Sequence, residues 1–158
     1  MEIQISIKIP GKKKSKQRGM TNILKELKYD CRVSSVLNRN NKENGKKYLF
    51  DDSDETCWSS DSGTPQFILL DFESVVPAIS GVKIQFQGGF AGKDCTMILS
   101  KADGTEEIKQ DFFPDDINKA QVFNLKESVE NVKSIRIVFE SSFDFFGRIV
   151  IYSLEILR

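Results

Sequence analysis

Carboxylates are the chemically capable group that this chain concentrates most. Asp51-Asp52-Ser53-Asp54-Glu55-Thr56 places acids and hydroxyls side by side. Hard oxygen donors at that density suit calcium, and a site would draw on Asp51, Asp54 and Thr56 with a distal carboxylate such as Glu155. The stretch lacks the spacing of an EF-hand and the glycine that lets such a loop close. A solvated turn, in which Asp and Ser cap backbone amides, fits the same residues. A carboxylate pair for glycoside hydrolysis would need two acids in a fixed relation, and nothing singles out such a pair among 23 Asp and Glu. The chain has no histidine, so Ser-His-Asp and Cys-His arrangements cannot be built. Cys31, Cys57 and Cys95 are widely spaced and form no CxxC, which leaves zinc without a ligand set. Gly88-Gly89-Phe90-Ala91-Gly92-Lys93 is glycine-rich but has neither the P-loop nor the dinucleotide-loop spacing. The expectation is a protein that is not an enzyme and carries no cofactor other than calcium at the acidic turn.

Recognition residues are easier to find. Ser141-Ser142-Phe143-Asp144-Phe145-Phe146-Gly147 sets three phenylalanines between two strand candidates. They cannot all point inward from a tight turn, so the loop is either a recognition surface or a plug for the end of the fold. Phe143, Asp144, Phe145, Phe146 and Arg148, with Phe90 from the glycine-rich loop, form the candidate partner-binding loop. Trp58 is a core anchor if buried and a stacking platform for a sugar if exposed. Lys12, Lys13, Lys14, Lys16 and Arg18 form a basic cluster. It reads as a nuclear-localisation or nucleic-acid patch, or as a solvated arm. The whole chain carries a formal net charge of +0 and so exerts no overall pull on nucleic acid or membrane.

The elements that must position these residues follow from periodicity. At 158 residues the chain suits one domain. Ile3, Ile5, Ile7 and Ile9 alternate with polar residues, and Pro10-Gly11 stops the run. The apolar part precedes the positive charge and no small-residue cleavage site follows, so no signal peptide is expected. Residues 1–30 read as a flexible basic extension, with a helical turn or two after Met20, which is itself a possible start of a shorter product. From Cys31 onward strands are expected at 32–36, 66–72, 80–87, 96–100, 107–112, 120–124, 134–140 and 148–157. Asp103-Gly104 is a hairpin signal, and 125–132 has a weak helical look. This pattern predicts an all-β, jelly-roll β-sandwich of about eight strands over residues 31–158, with Trp58, Phe67, Ile84, Phe86, Ile137 and Phe139 in its core. No apolar run is long enough to span a membrane as a helix. An odd number of cysteines suits a reducing compartment.

The order Leu49-Phe50-Asp51…Glu55-Thr56-Cys57-Trp58-Ser59…Gln66-Phe67-Ile68…Asp71-Phe72 resembles the start of discoidin, or coagulation factor five/eight type C, domains, which are galactose-binding-like jelly rolls. Arg32-Val33-Ser34-Ser35-Val36-Leu37-Asn38-Arg39-Asn40, Ile84-Gln85-Phe86-Gln87-Gly88-Gly89-Phe90 and Asp144-Phe145-Phe146-Gly147-Arg148-Ile149-Val150-Ile151-Tyr152 are similar to one intracellular family, the associated protein of the testicular orphan nuclear receptor. The likeness runs over about residues 31–157. It implies a monomeric protein of the nucleus, and of the cytoplasm, that binds an orphan nuclear receptor. It further implies repression of transactivation by keeping the receptor off its DNA element. No catalytic residue comes with it, and no direct nucleic-acid contact beyond the basic arm. Asp51-Asp52 stands where sugar-binding relatives have Asp-Gly. A carbohydrate-binding module, with or without calcium, and a subunit of a larger assembly remain the alternatives.

Overall fold

The computed structural model describes residues 21–158; the Ile3–Ile9 alternation and the basic cluster lie outside them. Strand-period sequence gives strands: β1 (Tyr29–Val33), β2 (Trp58–Ser59), β3 (Gln66–Phe86), β4 (Cys95–Lys101), β5 (Glu107–Phe112), β6 (Ala120–Phe139) and β7 (Val150–Leu157). All pair antiparallel, in the order β2-β7-β3-β6-β4-β5, with β1 added on β3. The all-β expectation is met. Among the described residues the strands number seven: two expected pairs fuse, which turns eight into six, and the unexpected β2 at Trp58–Ser59 is the seventh. The runs at 66–72 and 80–87 become β3, and those at 120–124 and 134–140 become β6.

These two long strands form a bent ribbon that both layers of the sandwich share. The first part of β3 pairs with β1 and with 134–139 of β6; its last part pairs with β7 and with 120–124 of β6. Register shifts at Asp71/Val76 and Ile79/Gly81 mark the bend, where a bulge sharpens strand twist. The 125–132 segment is strand rather than helix. Leu125, Val129 and Val132 are buried at a helix-like spacing, but the register shifts and a positive φ of 57° at Asn131 reset the alternation within extended backbone.

Parity along the strands builds the core. Ile68, Leu70 and Phe72 face in from one half of β3, and Val82, Ile84 and Phe86 from the other. Ile135, Ile137 and Phe139 face in from β6. Burying each such side chain contributes about 1.5–3 kcal/mol. Trp58 lies 6.5 Å from Phe139, and Phe86 lies 5.9 Å from it edge-to-face, which joins the layers. Phe67 departs from its expected core position. The inward parity belongs to Gln66 and Ile68, so Phe67 is half-buried on the outer face, beneath the Arg136 guanidinium at 4.8 Å.

Residues 21–30, grouped above with the extension, are part of the folded unit. Thr21 and Arg158 exchange backbone hydrogen bonds of 3.3 and 2.9 Å. Asn22 Oδ1 accepts from Leu24 and Ile156 N–H groups, both at 3.2 Å. Ile23 and Leu24 sit in the core, and Tyr29 opens β1. Asn22 supplies the cap of a short 3-10 turn, Ile23–Glu26, a signal more local than strand periodicity.

Candidate functional site

The β6–β7 loop, residues 140–149, is a braced structure. Gly147 N–H donates to Asp144 O (3.0 Å), and Arg148 N–H donates to Asp144 Oδ2 (2.9 Å). Ser142 Oγ accepts from Asp144 N–H (2.9 Å) and donates to Arg148 O (2.7 Å). Asp, Ser and Gly close tight turns through such local bonds. Gly147 has φ +83°, and a Cβ there would lie 2.9 Å from the backbone of Gly63. Only glycine satisfies both conditions. Gly63 N–H in turn donates to Phe146 O at 2.7 Å, which fixes the loop on the segment that precedes β3.

Held this way, the loop presents its rings outward. Phe145 is 93% exposed and Phe146 67%, set edge-to-face at 5.2 Å; Phe143 is 43% exposed. At these exposures the rings do not fill the end of the sandwich. The β3–β4 loop lies alongside. Phe143 N–H donates to Ala91 O (3.0 Å), Lys93 N–H to Ser141 O (2.9 Å) and Asp94 N–H to Ser141 Oγ (3.1 Å). Arg148 carries its guanidinium 4.6 Å from the centroid of Phe90 and places Nε 3.8 Å from Asp144 Oδ2. Lys93 Nζ lies 5.8 Å from the Phe143 ring. The structure thus brings Phe90, Phe143, Asp144, Phe145, Phe146 and Arg148 into one cluster.

A third loop joins this end of the fold. Gly89 N–H donates to Asp116 Oδ1 and Gly88 N–H to Asn118 Oδ1, each at 2.8 Å. Their segment, 113–119, carries Phe113 (67% exposed) and Ile117 (40% exposed). From the sequence, Ile117 does not stand out, and Phe112 and Phe113-Pro114 are residues that could lie near the aromatic loop, with nothing to tell them apart. Strand parity separates them: Phe112 turns in against Phe123 at 4.7 Å, and Phe113 turns out.

The acidic turn is built differently. Asp51 spends its oxygens within the turn, one on Ser53 N–H (3.1 Å) and one on the Thr56 hydroxyl (2.5 Å). Ser53 Oγ accepts from Glu55 N–H, and Asp52 pairs with Lys25 at 3.2 Å. Among the described residues no group of three or more Cys, Asp or Glu is placed to hold a metal ion, so Asp51, Asp54 and Glu155 do not converge. These residues fit the capped-turn reading, and Asp51 in particular is already satisfied.

Trp58 is fully buried and donates from Nε1 to Ser35 O at 3.0 Å; it offers no platform to a sugar. Beside it, Gln66 accepts from the Ser34 and Ser35 hydroxyls and donates to Asp61 O (3.2 Å) and Gly63 O (2.7 Å). Burial pushes the Cys31 thiol up to about 12, with nearby Lys46 opposing the rise. Burial also pushes the Cys95 thiol well up, aided by the Asp94 and Glu140 carboxylates. Neither is suited to act as a nucleophile, which requires the thiolate.

No family model matches the chain. It is 48% identical over 126 residues to the nuclear receptor 2C2-associated protein of Danio rerio, a match covering 80% of this chain and 88% of that one. Against the protein of that name from Homo sapiens the figures are 44% over 129 residues, 80% and 88%. Among solved structures, the fold is similar to an F5/8 type C domain from Bacteroides fragilis, with TM-score 0.75, 13% identity, and 87% and 95% of the two chains covered. It is also similar to a chitosan-binding module of a Paenibacillus chitosanase/glucanase, with TM-score 0.68, 18% identity, and 87% and 99% covered. The galactose-binding-like jelly roll expected from the sequence is thereby met.

Proposed function

Because the chain belongs to the nuclear receptor 2C2-associated protein family, we propose that it is a non-enzymatic interaction module that docks on an orphan nuclear receptor through the aromatic end of its sandwich. In this reading it works as a monomer in the nucleus, and also in the cytoplasm. It represses transactivation by holding the receptor off its DNA element. The observation that carries the reading is the pair Phe145 and Phe146, 93% and 67% exposed on a loop braced by backbone bonds at Asp144, Phe146, Gly147 and Arg148. Exposed rings on a rigid support lose little entropy on binding and make effective anchors.

The test is a pull-down with purified nuclear receptor 2C2, followed by competition of the complex against the receptor's labelled DNA element. Phe143, Phe145 and Phe146 changed together to Ala should weaken capture by about 2 kcal/mol or more and abolish displacement from DNA. Stability should stay within about 0.5 kcal/mol, as for exposed positions generally. Full capture by the triple variant would remove this loop as the docking surface.

The same exposed ring pair favours a second reading, a glycan-binding module that stacks a sugar on Phe145 and Phe146, with or without calcium. A glycan array separates the two, together with a calcium titration of the melting temperature. A ligand that binds only the native state raises that temperature. No glycan signal and no shift remove this alternative.

A further inference from the structure

A second surface is lined by residues outside the aromatic cluster. Between Arg32 and Lys47 the chain carries the cations Arg32, Arg39, Lys42, Lys46 and Lys47 against a single acid, Glu43. All five cations are exposed. The fold gathers them around two adjoining grooves that share Asn41 and Lys46. The first, of about 400 Å³, is ringed by Arg32, Arg39 and Lys46 and floored by Val33 and Val36. Lys42 and Lys47 continue the rim of the second.

Among the described residues none of these cations is in an ion pair; the pairs present are Lys25–Asp52, Lys133–Asp71 and Arg148–Asp144. The local acid does not neutralise them. Glu43 Oε1 accepts from Asn40 Nδ2 at 3.0 Å, and its N–H donates to Asn40 Oδ1 at 3.2 Å. Glu43 is thus held in the cap of the short helix Asn41–Asn44. A molecule with a formal net charge of +0 has concentrated an unneutralised positive field over one groove. Among the described residues β1 pairs with β3 alone, and the groove borders its other edge. A free edge accepts an extended segment by backbone hydrogen bonding.

We propose that this groove is a docking site for an extended, acidic segment of a partner protein in which carboxylates alternate with apolar residues. Strand alternation puts the two kinds of side chain on opposite sides. The apolar set meets Val33 and Val36, and the carboxylates meet Arg32, Arg39 and Lys46. The apolar floor favours a peptide over nucleic acid. Single-strand binders interleave cations with exposed rings, whereas no aromatic residue lines either groove; the neighbouring ring, Tyr48, is half-buried with Lys47 Nζ 5.1 Å from its centroid. None of its lining residues belongs to the aromatic cluster, and its test does not depend on that reading.

Fluorescence anisotropy on the full chain tests it, with a labelled peptide of alternating Glu and Val as the probe. The same peptide with Gln for Glu, and a labelled duplex DNA, run beside it. The Glu peptide should bind and weaken with added salt, the Gln peptide should not bind, and the DNA should bind more weakly than the Glu peptide. The variant R39Q/K46Q should lose about tenfold or more in affinity with an unchanged melting curve. Neutralising Lys12, Lys13 and Lys14 to Gln should leave affinity unchanged. In the unaltered protein, amide resonances of Val33, Ser35, Val36 and Asn41 should shift on titration with the peptide. Failure of the Glu peptide to bind overturns the proposal. So do loss of binding in the Lys12-Lys13-Lys14 variant alone, tighter groove-dependent binding of DNA, and resonance shifts confined to other strands.

Discussion

Arg148 stacks its guanidinium 4.6 Å from the ring centroid of Phe90 while its backbone N–H is held by Asp144 Oδ2 at 2.9 Å. One residue thereby couples the β3–β4 loop to the β6–β7 loop. An exposed cation–π contact contributes about 0.5–1 kcal/mol, and the partly exposed Asp144 pair adds little more. Arg148→Ala should therefore lower stability by about 1 kcal/mol in urea unfolding. Arg148→Lys should not restore it, because an ammonium lacks the planar stack. Equal stability of all three proteins would show that the contact carries no energy.

Gly147 separates positioning from contact. A methyl group at φ +83°, 2.9 Å from Gly63, forces the loop to move. Gly147→Ala should cost roughly 1–3 kcal/mol of stability and weaken receptor capture as well. Phe145→Ala should show the opposite pattern: capture falls and the melting temperature stays. Thermal melts beside pull-downs of the two variants check the contrast.

Trp58 is the chain's one tryptophan, so its fluorescence reports the core directly. Trp58→Phe keeps a ring but leaves the Ser35 carbonyl without the indole donor 3.0 Å away. A buried acceptor stripped of its partner costs about 1–3 kcal/mol. The loss is expected in chemical denaturation followed by circular dichroism. A loss below 0.5 kcal/mol, roughly the noise of surface changes, would mean that another donor takes the carbonyl.

Alkaline pH should destabilise the fold through its thiols. Cys31 and Cys95 ionise at a higher pH in the fold than their ordinary value of 9.0, and Cys31 is raised to about 12. Above that ordinary value the unfolded chain sheds thiol protons that the native state keeps. It then binds fewer protons, and stability falls as pH rises. The decline should begin near 9.0 and for Cys31 continue to about 12. Replacing Cys31 and Cys95 together by Ala should flatten the dependence over that window, measured by urea midpoints at successive pH values.

Local patterns alone determined the class of fold and much of its core. Alternation in Val82-Lys83-Ile84-Gln85-Phe86 and Ile135-Arg136-Ile137 specifies which face turns inward, and Asp103-Gly104 specifies a hairpin, because side-chain parity and turn chemistry act within a few residues. The aromatic loop was legible for the same reason, since three rings cannot all leave one tight turn inward. What only the tertiary structure decided depends on contacts between distant segments. Asn22 joins the fold through Ile156, and Phe113 joins the aromatic end because Gly88 and Gly89 bond to Asn118 and Asp116. The basic groove likewise exists because the chain after β1 folds back to set Lys46 beside Arg32 and Val33. Such proximities are products of long-range pairing across a bent two-layer sheet, and the free energy that selects them resides in the packed whole rather than in any short stretch.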